Sequence, residues 1–214
     1  MRARKSFGCW QLEAVACIIA AAWSMPALAW APVPRPVSRS GPAIVNVSPE
    51  GPVRSIRQAL AIVARGGTIT VRPGVYTDTT IVVSIPVTII GERYPVLDGE
   101  SKRQIMTIAA DSVTIRGLQF RNVGIAFTED LAAIKVIRGR NCVIEDNRID
   151  NAFFGIYLQE AENCLVARNV LRGTRLDDAT SGNGIHLWHS REITIVGNTI
   201  TGQRDGIYFE FVRE

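Results

Sequence analysis

The sequence predicts an all-β protein, a right-handed parallel β-helix with coils of about 22 residues and an N-terminal capping α-helix. Three motifs recur along residues 135–213 at intervals of 22 and 29 residues. They begin at Asn147, Asn169 and Asn198, at Gly155, Gly184 and Gly206, and at Cys142, Cys164 and Ile193. Each repeat holds short alternating strands separated by Gly, Asn or Asp and has no helical periodicity. Because one such coil cannot bury its own apolar face, successive coils must stack into a solenoid.

Residues 1–29 have the pattern of a secretory signal peptide. The basic start contains Arg2, Arg4 and Lys5, and the short apolar run covers residues 14–22. The A-x-A cleavage site is Ala27-Leu28-Ala29. The apolar run is shorter than the roughly 20 residues that span a bilayer. We therefore expect export to the periplasm, with a mature chain that begins at Trp30 or Pro32; retention as a membrane anchor is the alternative.

The charge of the chain gives no indication of nucleic-acid binding. The formal net charge is +4, and the predicted signal carries three basic residues and one acidic residue, so the remainder is left at +2. A nearly balanced chain lacks the basic footprint that nucleic-acid-binding domains show.

Residues 30–50 are rich in Pro and Ser and are predicted to form an extended linker. Residues 51–214 then form one β-helix domain, which we expect to be incomplete at its C-terminus because no cap follows the last coil. The apolar side chains of that open coil would favour end-to-end self-association.

A single amphipathic helix is predicted over residues 52–66, ahead of the first coil. Pro52 suits a first helical turn, and Gly66-Gly67 suits its end. One face is apolar and carries Val53, Ile56, Leu60 and Val63. Such a helix would cover the exposed end of the solenoid.

About seven coils follow, starting at Thr68, and alternation assigns the two faces of their strands. Inward-facing residues form an apolar ladder of Ile156, Leu158, Ile185, Leu187, Ile207 and Phe209. Their neighbours then form two outward columns, one of Tyr157, His186 and Tyr208 and one of Gln159, Trp188 and Glu210. We interpret these two columns, called the stripe below, as a partner-binding surface, because exposed aromatic columns mark contact surfaces. The alternative is cross-strand stacking without a partner.

Two insertions, residues 124–131 and 173–182, precede strands of the stripe and are expected to flank it. The second insertion contains Asp177 and Asp178.

Two further sets of stacked residues have structural interpretations. Asn147, Asn169 and Asn198 suit left-handed turns, and their amides can hydrogen-bond from coil to coil. Cys142 and Cys164 occupy the same inward position in consecutive coils. Free buried thiols are favoured there over a disulfide, because directly stacked parallel neighbours offer poor disulfide geometry, and over a metal site.

The sequence contains no specific metal-binding or catalytic motif. After the signal, the soft or imidazole ligands are Met106, His186, His189 and the two cysteines. Direct metal binding therefore remains unknown at this stage.

Four segments carry a resemblance to a known family: residues 51–76 (GPVRSIRQALAIVARGGTITVRPGVY), 87–100 (VTIIGERYPVLDGE), 182–190 (GNGIHLWHS) and 204–211 (RDGIYFEF). These segments resemble the NosD family. The resemblance implies a periplasmic accessory protein for the maturation of nitrous oxide reductase. It further implies copper as the metal handled. The implied partners are the ATPase and membrane subunits of an ABC transporter, a copper-binding lipoprotein and the reductase.

The competing hypothesis from the residues is a lyase or epimerase acting on uronate polysaccharides. Such an enzyme needs a base and a cation that neutralises the substrate carboxylate on one outward face. Lys135, His186, Arg204 and Asp205 are the residues available for these roles. A purely structural β-helix or adhesin is the third reading.

Overall fold

The structure, a computed structural model, describes residues 40–126, 129–174 and 181–213. The elements of its first half are, in chain order, β1 (Ile44–Val47), α1 (Ile56–Ile62), β2 (Thr68–Val71), β3 (Val75–Tyr76), β4 (Ile81–Val83), β5 (Val87–Gly91), β6 (Val96–Asp98), β7 (Met106–Ile108), β8 (Val113–Arg116) and β9 (Gln119–Arg121). Those of the second half are β10 (Ala132–Ile137), β11 (Val143–Glu145), β12 (Arg148–Asp150), β13 (Phe154–Gln159), β14 (Leu165–Ala167), β15 (Val170–Arg172), β16 (Asn183–Trp188), β17 (Thr194–Val196), β18 (Thr199–Thr201) and β19 (Asp205–Glu210).

The strands form three parallel sheets, and each full coil contributes one strand to each. The first sheet has the order β1-β2-β5-β8-β11-β14-β17, the second β4-β7-β10-β13-β16-β19, and the third β3-β6-β9-β12-β15-β18. Every pairing is parallel and joins strands of successive coils. The predicted parallel β-helix, with about seven coils and one short helix among the described residues, is confirmed.

The core is a set of apolar ladders, because register places the same inward position of each coil directly over the next. In the first sheet Ile89, Ile115, Ile144 and Val166 lie in one such row and are fully buried. The predicted ladder of the second sheet is present as well, with Ile156 paired with Ile185 and Leu158 with Leu187. Each row buries apolar surface that a single coil would expose.

The corners of the coils are made by residues with positive φ, and these residues also stack. After the second sheet the column is Arg138, Glu160, His189 and Phe211; before the first sheet it is Ser112, Asn141, Asn163 and Glu192; after the first sheet it is Gly117, Asp146, Arg168 and Gly197. A left-handed residue turns the chain sharply at a small energetic cost. Because it recurs at the same place, every coil bends alike and the strands stay in register.

The three asparagines form a hydrogen-bonded ladder beside the third corner, in which Asn147 and Asn169 are buried and Asn198 is partly buried. The Oδ1 atom of Asn169 accepts from both the backbone N and the Nδ2 atom of Asn147, at 3.0 and 3.1 Å. The Oδ1 atom of Asn198 accepts in the same way from Asn169, at 2.9 and 3.0 Å. The predicted coil-to-coil amide bonding is therefore confirmed. The predicted left-handed conformation is wrong for these residues, since the residue before each asparagine has the positive φ.

The linker prediction is wrong for residues 44–47, which form strand β1. β1 pairs with β2 in the first sheet, and Val45 and Val47 are buried in the core. Alternation of Ile44-Val45-Asn46-Val47 specifies a half-buried strand, although the composition around it is that of a linker. Within the described residues the solenoid therefore begins at Ile44 rather than at Thr68.

The helix is present but shorter than predicted. Ser55 caps its start, because its side chain accepts from the backbone N of Gln58 at 3.1 Å, so residues 52–54 stay outside. At the other end Val63 already has an extended conformation. The helix buries Ile56, Ala59 and Leu60 and packs against β1, β2 and β4, the first strands of two sheets.

Strand β19 presents apolar side chains to solvent. Ile207 and Phe209 occupy the inward ladder but remain exposed. The end-to-end self-association expected from them remains a prediction.

We predict that Asn169→Ala lowers the free energy of unfolding by about 2–4 kcal/mol, because the buried N–H of Asn147 and the buried carbonyl of Ile144 both lose their partner. Urea denaturation followed by circular dichroism measures the change. The matched control is Asn46→Ala on an exposed strand position, expected to change stability by less than about 0.5 kcal/mol. Equal effects of the two substitutions would contradict a stabilising ladder.

Candidate functional site

The structure aligns the predicted stripe on the outer face of the second sheet. Tyr157, His186 and Tyr208 are register partners on β13, β16 and β19, and Gln159, Trp188 and Glu210 form the neighbouring column. The first column continues through Lys135 on β10, which pairs with Tyr157. The period of the sequence therefore placed these side chains correctly relative to one another.

Two members of the stripe are buried, which corrects the expectation of an exposed column. The Tyr157 side chain is only 5% exposed and His186 only 7%, whereas Tyr208 is 42% exposed. The cover comes from Phe154, whose ring lies 5.5 Å from Tyr157 and 5.1 Å from His186 between ring centroids. Tyr157 and His186 are themselves 4.6 Å apart in an edge-to-face arrangement. Tyr157 thus belongs to a small second core, and its removal would take buried contacts with it.

Phe154 reaches this face because strict alternation breaks at Gly155. A Cβ atom on Gly155 would lie 2.5 Å from Leu171 Cδ2, inside the coil, and 2.5 Å from the carbonyl oxygen of Gly184. Only glycine fits such a close approach. With Gly155 and Ile156 both directed inward, Phe154 joins Tyr157 outside.

Charged groups line the edge of this aromatic cluster. The ammonium of Lys135 lies 4.7 Å from the centroid of the Tyr157 ring, a cation–π geometry, and 3.4 Å from the backbone oxygen of Asp130. Burial lowers the pKa of Lys135. Burial, followed by the Asp130 and Glu210 carboxylates, raises the pKa of Tyr157 to about 12.

His186 is held in one orientation by its neighbours. The Nδ2 group of Asn183 donates to His186 Nδ1 at 2.9 Å, so the neutral imidazole carries its proton on Nε2, which lies 3.7 Å from Glu210 Oε2. Arg204 in turn donates to Asn183 Oδ1 at 3.2 Å. Burial lowers the pKa of His186, and the nearby Glu210 and Asp130 carboxylates oppose that shift. His186 is therefore a neutral, hydrogen-bonded group at neutral pH.

A shallow pocket of about 380 Å³ opens where the stripe meets solvent. Its lining combines the end of the first insertion with both columns, in Asp130, Tyr157, Gln159, His186, Trp188 and Glu210. Because Asp130 lies at the end of the first insertion and lines this pocket, that end of the insertion flanks the stripe as expected. Asp177 and Asp178 of the second insertion lie outside the described residues.

The buried cysteines do not add a reactive centre to this face. Cys142 and Cys164 are free thiols in the core, and the backbone N of Cys142 donates to Cys164 Sγ at 3.4 Å. The hydrogen bond to Cys164, together with burial, raises the pKa of Cys142. Among the described residues, no group of three or more His, Cys, Asp or Glu side chains is arranged to hold a metal ion.

Comparison with known proteins places the fold in a family. Residues 99–211 match the family described as "Right handed beta helix region". The chain belongs to this family. The match agrees with the parallel sheets. The description of the family also agrees with the right-handed coil that the sequence predicts. No helix in the described part of the chain is long and apolar enough to cross a membrane.

The NosD resemblance is confirmed at the level of sequence similarity. The chain is 32% identical over 112 residues to the "Probable ABC transporter binding protein NosD" of Pseudomonas aeruginosa (strain PAO1). The aligned segment is 51% of this chain and 26% of that protein, so the chain spans about a quarter of its relative.

Two solved structures are similar in shape and distant in sequence. A rhamnogalacturonan lyase has a TM-score of 0.57 at 12% identity, over 79% of this chain and 62% of that one, which shows the shared fold. A pectin methylesterase from Aspergillus niger has a TM-score of 0.32 at 12% identity, over 81% of this chain and 86% of that one, too low to carry an argument.

We predict that His186 makes the protein less stable in mild acid. Its pKa in the folded protein lies below the ordinary 6.5, so the unfolded chain binds more protons as pH falls through 6.5, and stability is lost down to the folded pKa. Unfolding free energies at about pH 7.5 and about pH 5 should therefore differ more for the wild type than for His186→Gln.

Nuclear magnetic resonance titration of the imidazole protons gives the direct check. The chain has two histidines, and His189→Asn assigns their signals without straining the left-handed backbone at that position. A His186 pKa at or above 6.5 would contradict the buried, neutral state.

Proposed function

We propose that this protein is a periplasmic accessory protein that binds an ABC transporter and assists copper delivery during maturation of nitrous oxide reductase. The similarity to the probable ABC transporter binding protein NosD carries the proposal. The partners we propose are the ATPase and membrane subunits of the transporter, a copper-binding lipoprotein and the reductase.

The geometry of the stripe supports a binding role. Parallel pairing fixes β13, β16 and β19 side by side. The side chains on the outer face of these strands therefore lose little conformational entropy on binding. Tyr157 and His186 form the buried support, and Gln159, Trp188 and Glu210 border the pocket above it. An aromatic centre with a polar rim is the usual composition of a protein interface.

Copper enters this proposal as cargo. Met106, Cys142 and Cys164 are buried in the core, and His186 Nδ1 is occupied by Asn183. Among the described residues no group of three or more His, Cys, Asp or Glu side chains, His189 included, is arranged to hold a metal ion, and we propose that the ion passes through partner proteins.

The second candidate is a lyase or epimerase acting on uronate polysaccharides. The observation in its favour is the half-buried Lys135 with its lowered pKa, one strand away from Tyr157 and on the same column as His186. A base of lowered pKa on the same face as a cation suits proton abstraction from a uronate. Against it, Lys135 is engaged with Tyr157 and Asp130, and His186 with Asn183.

We predict that Tyr208→Ser and Trp188→Ser weaken association with the transporter, by about 2 kcal/mol for the stronger of the two, on the order of thirtyfold in Kd. Tyr208 is 42% exposed, and Trp188 is partly buried, packed against the second core and lining the pocket. Co-purification with the tagged ATPase and membrane subunits, followed by a binding titration, measures the effect.

The matched control is Tyr94→Ser, which removes an aromatic ring beside Arg148, away from the second sheet, and should leave binding unchanged. Failure of the wild type to bind the transporter would overturn the proposal. Formation of unsaturated uronate products from polyuronates, abolished by Lys135→Ala, would favour the enzyme instead.

A further inference from the structure

The pocket on the stripe has a negative electrostatic potential. Its lining residues include the carboxylates of Asp130 and Glu210 and no Lys or Arg. Burial is the largest cause that raises the pKa of Tyr157, and the charges of these two carboxylates add to it. The same carboxylates oppose the effect of burial on the pKa of His186. Two groups in the wall thus respond to a negative potential, which a cation in the pocket would neutralise.

Neighbouring cations leave these carboxylates unpaired. In the part of the chain that the structure describes, no Lys or Arg side chain forms an ion pair with Asp130 or Glu210. The ammonium of Lys135 contacts the backbone oxygen of Asp130, at 3.4 Å, and the guanidinium of Arg204 pairs with Asp205, at 3.0 Å. The charge of the pocket is therefore available to a ligand.

Four of the six lining residues lie on strands with a neighbour on each side. Tyr157 and Gln159 belong to β13, and His186 and Trp188 belong to β16. In the second sheet β13 lies between β10 and β16, and β16 lies between β13 and β19. This wall of the pocket is therefore an interior part of the sheet, fixed by pairing on both sides.

Aromatic side chains make this wall suitable for a cation. The ammonium of Lys135 lies 4.7 Å from the centroid of the Tyr157 ring, so one ring of the cluster already contacts a cation. Trp188 is partly buried against the same cluster, and an indole attracts cations more strongly than a phenol ring does. The carbon chain of a Lys or Arg can pack on such a ring while its charged end reaches a carboxylate.

His186 contributes a donor that lacks an acceptor at hydrogen-bonding distance among the described residues. Its side chain is buried, and Asn183 occupies Nδ1, so the proton is on Nε2. The Nε2 atom lies 3.7 Å from Glu210 Oε2, too far for a hydrogen bond. A ligand that satisfies the pocket therefore needs an acceptor next to its cation. A peptide offers both, because a backbone carbonyl lies beside each basic side chain, whereas a metal ion or a simple amine offers no acceptor.

We propose that the pocket on the stripe receives a Lys or Arg side chain from the transporter. The charged end of that side chain pairs with Asp130 or Glu210, its carbon chain packs against Trp188, and an adjacent backbone carbonyl accepts from His186 Nε2. This inference rests on the proposed function and adds the chemistry of the partner at the stripe.

The test is a binding titration of the full chain with the purified complex of the ATPase and membrane subunits. Asp130→Asn keeps the shape of the side chain and removes its charge, and it should weaken binding about tenfold. Asp130→Lys should weaken binding further, because like charges then meet. The matched control is Glu92→Gln, which removes an exposed carboxylate 3.9 Å from Arg72, away from the second sheet, and should change binding less than about twofold.

The partner side chain is identified by replacing Lys and Arg residues on the periplasmic surface of the transporter with Gln, one at a time. The residue that enters the pocket should weaken binding of the wild type about tenfold and of Asp130→Asn less than about twofold, since the two substitutions remove the same contact. Added salt should weaken binding of the wild type more than that of Asp130→Asn. Melting temperatures of the variants exclude unfolding as the cause.

The outcomes separate this inference from the function on which it rests. If Trp188→Ser weakens transporter binding while Asp130→Asn and Asp130→Lys leave it unchanged, the stripe binds the transporter without a basic side chain, and only this inference is overturned. The same holds if no Lys or Arg of the transporter is coupled to Asp130. Failure of the wild type to bind the transporter overturns both.

Discussion

The repeated corner is the constraint on which the rest of this structure depends. A coil contributes to the core only if its inward side chains lie over those of its neighbours, and that requires every coil to turn at the same residue. Stacked left-handed residues, such as Asp146 and Arg168, make the turn, and the buried amides of Asn147 and Asn169 tie it to the next coil. A bend at another residue would shift the following strand by one position and turn its apolar face outward.

The same register builds the outer surface. Columns on the second sheet exist because β10, β13, β16 and β19 are aligned by the core, and the rings of His189 and Phe211 stack because the two residues share a corner position. Side chains that face outward are then free to vary. A rhamnogalacturonan lyase shares this fold at only 12% sequence identity, so the fold leaves function to these columns.

Period and alternation were enough to predict the fold class, the inward ladders and the pairing of Tyr157 with His186. They were not enough to predict burial, because the cover over these rings comes from Phe154, which the sequence analysis did not assign to this face. Its outward direction depends on Gly155 facing inward, a break in alternation that becomes visible only when Leu171 and Gly184 are placed. Asn183 and Asp130 were missed because their roles depend on contacts within the folded site. Asn183 begins β16 and bonds His186 on the same strand, and Asp130 belongs to the first insertion.

Other differences also have local causes. Strand β1 has four alternating residues within a Pro- and Ser-rich segment, so an interpretation based on composition predicted a linker there. The left-handed corner after the second sheet is occupied by Arg, Glu, His and Phe, residues without a turn preference, so tertiary contacts rather than local propensity set it. The repeated asparagine indicates where the corner lies, but the left-handed conformation belongs to the residue before it.

Native-state hydrogen exchange tests most directly whether the asparagine-tied corner holds the coils together. The backbone N–H groups of Asn147 and Asn169 donate only to the amide of the next coil, at 3.0 and 2.9 Å. If this corner holds the register, they should exchange as slowly as N–H groups within β11 and β14, through global unfolding alone. The exposed corner N–H of Arg140, which donates to Asp111 Oδ1 at 2.8 Å, should exchange much faster. Exchange of Asn147 and Asn169 as rapid as that of Arg140 would mean that the corner opens locally while the sheets stay paired, and would contradict the account.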